Sequence, residues 1–192
     1  QSGNIAIAVA ENKTLGYSGA AVNLGAKTLT MSGKGTFNNT NALVLNNASS
    51  KLLLDNTTTV GKVSTSLASS GVDINESSTI TSLAVGHTTP VSIAAGKTLS
   101  GAVTVTAGSI KLGETGTLGS TVSMSGGKLD ADNNLTLSGA LTQSGDIEIH
   151  VAEDKTLSYS GASLNVGAKT LTLSGGGTFN NTNALVLNNV DS

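Results

Sequence analysis

The chain of 192 residues contains no cysteine, tryptophan or arginine, and it has only one proline and four aromatic side chains. The lack of cysteine is compatible with an exported protein that does not rely on disulfides, but it identifies no compartment. Ten scattered lysines, a net charge of −2 and so few aromatics provide neither a phosphate track nor a stacking surface, which argues against nucleic-acid binding. No apolar run approaches the ~20 residues that span a bilayer, so we expect no membrane insertion by this segment.

Glycine, serine, threonine and asparagine dominate what is present, with 93 of the 192 residues. Short apolar runs such as Ala42–Leu45 and Lys51–Leu54 alternate with Ser-Gly and Asn-Asn pairs, which favour tight turns. No helical spacing of apolar residues is present. The sequence therefore predicts an all-β chain, with residues 1–192 forming a single segment.

Residues 1–47 return almost unchanged as residues 143–189, with 37 of 47 positions identical at an offset of 142. Such a copy is typical of stacked repeats rather than of an enzyme built once around one site. We therefore expect residues 1–142 to form one full repeat unit and residues 143–192 to begin the next. Because the chain opens with Gln1 rather than methionine, we expect it to be part of a longer protein.

The ten differences between the copies indicate which side chains face inward. Ala6 and Ala8 are replaced by Glu148 and His150, whereas the isoleucines and the valine that alternate with them are kept. This alternation is typical of a β-strand that has one apolar face and one face free to carry charge. His150 is therefore expected to point to solvent.

A weaker period of about 20–24 residues lies inside the long repeat and would divide it into six or seven coils. We predict a right-handed parallel β-solenoid with a thin aliphatic core, and a tandem array of β-sandwiches is the alternative. A sandwich needs wider residues to fill the ~10 Å between its sheets, and residues 48–143 contain no aromatic residue. The predicted interior positions in the first copy are Ile5, Ile7, Val9, Leu29, Leu43 and Leu45.

The chain resembles the β-solenoids of bacterial surface proteins. The resemblance rests on sparse charge, the absence of cysteine, the asparagine-rich corners and two Gly-Ala-Lys-Thr-Leu-Thr-x-Ser-Gly runs at residues 25–33 and 167–175. Similar textures occur in autotransporter passenger regions, filamentous-haemagglutinin-like exoproteins and giant repetitive adhesins. The resemblance implies an extracellular, cell-surface fibre or adhesin that serves as a scaffold for adhesion or matrix formation, and it transfers no functional residue.

One motif suggests a metal. Asp130, Asp132 and Asn134 alternate as in the opening of a calcium-binding loop, where carboxylate and amide oxygens converge on a hard cation. However, Leu135 occupies the sixth position, where such loops need glycine, and Leu141 the twelfth, where they need glutamate. A solvated polar turn is the alternative, and we expect no cofactor.

Catalytic constellations are sparse. His150 and Glu148 share an outward face, and Asp130/Asp132 and Glu153/Asp154 are carboxylate pairs of the kind that glycoside hydrolysis requires. Some β-solenoids are polysaccharide lyases, but those usually need a basic group such as arginine, which this chain lacks. A polysaccharide-active enzyme is therefore the least favoured function, and we expect no enzymatic activity.

The favoured function is structural, namely a surface fibre segment whose repetition supplies length. Its ends are expected to meet further chain or another molecule, and surface glycans are candidate partners. A ligand-binding face for glycan or ice is the alternative. Thr28/Thr30, Thr104/Thr106 and Thr170/Thr172 are Thr-x-Thr pairs of the kind that an ice-binding ladder uses, but their spacing is irregular and β-propensity explains them.

Overall fold

A computed structural model describes residues 3–113 and 115–187, which fold as a parallel β-solenoid of nine coils. The first eight strands are β1 (Ile5–Ile7), β2 (Thr14–Tyr17), β3 (Val22–Asn23), β4 (Thr28–Met31), β5 (Thr36–Asn39), β6 (Leu43–Leu45), β7 (Lys51–Leu54) and β8 (Thr59–Thr65). The next eight are β9 (Gly71–Ile74), β10 (Ser78–Val85), β11 (Thr89–Ile93), β12 (Thr98–Val105), β13 (Ser109–Leu112), β14 (Thr117–Leu118), β15 (Thr121–Met124) and β16 (Lys128–Ala131). The last eight are β17 (Leu135–Leu137), β18 (Leu141–Gln143), β19 (Ile147–Val151), β20 (Thr156–Tyr159), β21 (Leu164–Asn165), β22 (Leu171–Ser174), β23 (Thr178–Asn181) and β24 (Leu185–Val186).

Two long parallel sheets run along the solenoid. Sheet A takes one strand from each coil, in the order β1-β4-β7-β9-β11-β13-β16-β19-β22, and sheet B follows the path β2-β5-β8-β10-β12-β14-β17-β20-β23. In the middle coils β8, β10 and β12 are single long strands, whereas in the outer coils a corner divides the same stretch into two short strands. The prediction of an all-β parallel solenoid is confirmed, and the right-handed sense of the coil stays a prediction.

The core lies between the sheets and consists of aliphatic side chains from alternate strand positions. Leu52, Val72, Leu99, Leu118 and Leu137 are all completely buried. Their neighbours along each strand point outward, as the two-residue period of a β-strand requires. Among the described residues, no helix is long and apolar enough to span a bilayer.

Coil length varies along the chain. Ile5 pairs with Leu29 and, in the second copy, Ile147 pairs with Leu171, so these coils take about 24 residues each. Between the copies the advance falls to about 19 residues, as in the pairing of Ser109 with Lys128. The longer coils contain the aromatic pairs: Tyr17 stacks on Phe37 with ring centroids 6.4 Å apart, and Tyr159 stacks on Phe179 at 6.2 Å.

The long repeat corresponds to seven coils. Seven strands of sheet A, from β1 to β16, precede β19, and β19 carries the copy of β1. At ~4.8 Å between strands, the 142-residue unit advances the solenoid by roughly 34 Å. This agrees with the predicted six or seven coils.

The interior prediction is correct for four of its six residues: Val9, Leu29, Leu43 and Leu45 are buried. Ile7 is half-buried, and Ile5 is 41% exposed. The placement of Ile5 was wrong because, within residues 3–113 and 115–187, β1 pairs only with β4 and no described coil covers its other side. Its copy Ile147 lies between two coils and is only 3% exposed.

Candidate functional site

The outer face of sheet A carries a polar group of six side chains from four neighbouring strands. We call it the sheet A cluster, and its members are Lys111, Lys128, Asp130, Glu148, His150 and Ser174. The strand register brings them together, since Lys111 pairs with Asp130, Asp130 with His150, and His150 with Ser174. One outward position in four successive coils therefore supplies a line of polar groups across the sheet.

Asp130 is the centre of the cluster and is only 4% exposed although it points outward. The long side chains around it provide this burial. Its Oδ2 atom lies 3.3 Å from Lys128 Nζ and 3.9 Å from Lys111 Nζ. Its Oδ1 atom has no hydrogen-bond partner among the described residues and lies 4.0 Å from His150 Nε2.

A chain of hydrogen bonds joins His150 to the next coil. Ser174 Oγ donates to Glu148 Oε1 at 2.5 Å, and His150 Nδ1 lies 3.0 Å from Ser174 Oγ. Ser174 Oγ thus lies between the imidazole and the carboxylate and contacts both. The arrangement therefore links β19 to β22.

The sheet A cluster contains several of the residues that the sequence analysis singled out. His150 and Glu148 are both on the outer face, as predicted, and Ser174, which the sequence analysis missed, connects them. The signal for Ser174 was weak, because the same serine occurs in the first copy as Ser32, where Ala6 and Ala8 offer it no partner.

The structure places the three residues of the predicted calcium site in different surroundings. Asp130 faces two lysine ammonium groups, whereas Asp132 is exposed in the following turn. Asn134 accepts a hydrogen bond from the Thr156 backbone N–H at 2.9 Å, so its amide oxygen supports the next coil. Within residues 3–113 and 115–187, no group of three or more His, Cys, Asp and Glu side chains could hold a metal. Calcium binding by this chain stays a prediction that the geometry does not favour.

Glu153 and Asp154 lie in the turn that follows β19. Asp154 adopts a positive φ of 59°, as does its counterpart Asn12 in the first copy. Asp and Asn tolerate this left-handed conformation better than most side chains, and the shared angle explains why only they occur at this position. The pair thus has a turn-forming role in the structure.

The Thr-x-Thr pairs chosen from the sequence do not form a ladder. Thr30 lies between Ala6 and Leu53, and Thr104 lies between Ala84 and Ser123. Thr172 pairs with Glu148. The expectation that these pairs are irregular is confirmed.

Regular hydroxyl ladders lie elsewhere, on the outer face of sheet B. The first hydroxyl file consists of Thr14, Thr36, Thr59, Thr79 and Ser100, each paired with the next. The second hydroxyl file consists of Thr98, Thr117, Thr136 and Ser158, again paired in order. Sequence reasoning missed both files, although the triplets Thr57–Thr59, Ser77–Thr79 and Thr98–Ser100 recur at intervals of about 20–21 residues.

Comparison with known proteins adds nothing to this geometry: no protein-family model, curated protein or solved structure matches the chain. The strand ladders themselves define its class, a parallel β-solenoid built from a long tandem repeat.

Proposed function

We propose that this chain is a structural repeat segment of a bacterial surface fibre or adhesin, giving length and a polar exterior outside the cell. The supporting observation is the parallel ladder of sheet A, which runs through all nine coils and crosses from one repeat copy into the next without interruption. A unit that can follow itself in register can be repeated to any length.

Side-chain bonds between coils support a structural role. Asn39 Nδ2 donates to the carbonyls of Asn41 and Lys62, and Asn39 Oδ1 accepts from the Lys62 N–H. Lys97 Nζ lies 2.6 Å from Glu76 Oε2 in the preceding coil, and Lys51 forms an ion pair with Asp73 in the following one. The bonds from Asn39 to Lys62 and the two ion pairs join neighbouring coils in addition to the backbone ladders.

The partner of each end face is proposed to be a further coil of the same repeat. An open apolar cavity of about 230 Å³ at coil 1 is lined by residues that include Ile5, Leu15 and Tyr17. Their copies Ile147, Leu157 and Tyr159 are covered by the coil containing β16–β18. The molecule thus contains both the open face and its covered counterpart.

Extension of the chain in two phases tests this proposal. Residue 192 corresponds to residue 50, so residues 51–192 appended after Ser192 continue the repeat, whereas residues 1–142 appended there break it. We expect the in-phase chain to scatter X-rays as one rod longer by roughly 34 Å, from seven strand spacings of ~4.8 Å. The out-of-phase control should show a bend or a separate melting transition at the join. Equal behaviour of the two chains would contradict the proposal.

The extracellular location needs its own experiment. Antibodies raised against the 192-residue chain should label intact cells that produce the protein, and the labelling should disappear after protease treatment of those cells. Labelling that appears only after the cells are permeabilised would reject a surface location.

A further inference from the structure

We propose that the two hydroxyl files of sheet B form a binding surface for ice, that is, for an ordered lattice of water. The inference goes beyond a structural role, because it gives one face of the solenoid a ligand of its own. It rests on the position, spacing and bonding of nine threonine and serine side chains.

The two files together cover eight coils. The first file covers coils 1–5 and the second covers coils 5–8, and they overlap on β12, where Thr98 and Ser100 are two residues apart. Neighbours within a file are separated by the strand spacing of ~4.8 Å, and positions two apart on one strand by about 6.7 Å. The array is thus periodic along the solenoid axis, and its two files are offset by two residues on β12.

The hydroxyl groups are held in place but left unbonded by the protein. Eight of the nine side chains are half-buried, and Thr14, at the end of the first file, is exposed. None of the nine hydroxyls makes a hydrogen bond to any of the described residues. Seven of the nine side chains are threonines, which are stiff at χ1, and the residues that alternate with the files, such as Leu99 and Leu118, are buried in the core. The donors and acceptors are therefore pre-organised for an external ligand.

Two shallow grooves run beside the files. One, of about 220 Å³, is lined by Thr59, Thr79, Thr98 and Ser100 together with Lys34, and the other, of about 380 Å³, by Thr136, Thr156 and Ser158. Hydroxyl side chains from successive coils line both grooves, with Lys34 among them in the first and Asn134 and Leu135 in the second. Each groove can hold a row of water molecules bonded to both sides.

The chemistry of the face favours a lattice over a soluble sugar. The nine side chains are uncharged, and among the described residues no aromatic side chain lines either groove, so a glycan would find no ring to stack on. A single hydroxyl contact contributes little net free energy of binding, because water competes for it. A periodic solid can engage the whole rigid array at once, so many weak contacts add up.

Partition into growing ice tests the proposal. The 192-residue chain is frozen slowly from dilute solution, and its enrichment in the ice fraction is measured together with the shape of single ice crystals. We expect enrichment and faceted crystals. Thr117→Lys places a long charged side chain within the second file and should abolish both effects, because it holds the lattice away from the neighbouring hydroxyls.

Thr104→Lys is the matched control. Thr104 is an exposed threonine on β12, outside both files, and its change adds the same charge in the same part of the molecule. It should retain ice binding. Circular dichroism melting checks that both variants fold; if Thr117→Lys does not fold, Thr136→Lys takes its place. No enrichment of the parent chain, or equal loss in both variants, would overturn the proposal, as would binding to crystalline cellulose or chitin with no effect on ice.

Discussion

Residues 3–45 and 145–187 are nearly the same sequence placed in two environments. In the first copy the N-terminal coil is open, so Leu15 is 45% exposed, while its copy Leu157 is completely buried. In the second copy the order is reversed: Leu45 is completely buried and its copy Leu187 is 62% exposed. Burial in a solenoid is therefore set by the coils on either side, and the same residue stabilises the fold only when both are present.

The largest expected difference between the copies lies in the core of sheet A. Ile149 is 1% exposed and Ile7 is half-buried, so a carboxylate at Ile149 would be enclosed without a partner. Ile149→Asp should lower the free energy of unfolding by about 4 kcal/mol or more, and Ile7→Asp by clearly less. Chemical denaturation measures both. Equal losses would show that the first coil is covered in solution.

The next largest loss of stability is expected at a buried asparagine in a corner of the solenoid. Asn39 is 2% exposed and makes three side-chain hydrogen bonds, whereas its copy Asn181 is half-buried and accepts one, from the Asn183 N–H at 3.1 Å. Asn39→Ala should cost about 2–3 kcal/mol because it leaves buried backbone groups unpaired. Asn181→Ala should cost less than half as much. The reverse order in thermal melting would mean that the corner bonds do not hold the coils together.

The two tyrosines differ in the bonds made by a single oxygen atom. Tyr159 Oη donates to the Ala162 carbonyl at 2.5 Å and accepts from the Leu141 N–H at 3.0 Å, and the ring is completely buried. Tyr17 Oη donates to the Ala20 carbonyl at 3.0 Å and makes no second hydrogen bond to the part of the chain that the structure describes. Tyr159→Phe should destabilise the chain by about 1–2 kcal/mol and Tyr17→Phe by a few tenths. Melting temperatures of the pair provide the test, and a larger effect at Tyr17 would refute the assignment.

The smallest effect is expected where the copies differ in charge. Changing both Glu148 and His150 to alanine restores the first copy's residues and removes the bonds through Ser174. Because these side chains are partly exposed, the double variant should lose less than about 1 kcal/mol. The same change at Ala6 and Ala8, to Glu and His, should be nearly neutral. A loss of several kcal/mol in the double variant would make the sheet A cluster a principal support of the fold.

The architecture could be predicted from the sequence because the differences between the two repeat copies indicate which side chains face the core and which face solvent. Glu148 and His150, which replace two alanines, identified the outward positions from the sequence alone. The exposure of Ile5 could not be predicted, since it depends on whether a second coil covers β1 rather than on the local alternation of apolar residues. The hydroxyl files were missed for a similar reason: coils of roughly 19–24 residues shift the register, so Thr98 and Thr117 meet only once the loops between them are known.

The alternation of wide and narrow coils has a consequence at the scale of a whole fibre. Coils of about 24 residues, filled by stacked Tyr and Phe rings, return after every seven coils, and those between them advance by as few as about 19 residues. The cross-section of a long array would therefore widen and narrow with a period of roughly 34 Å, the height of seven strand spacings. Aligned filaments would diffract to a meridional layer line at that spacing, in addition to the ordinary strand reflection.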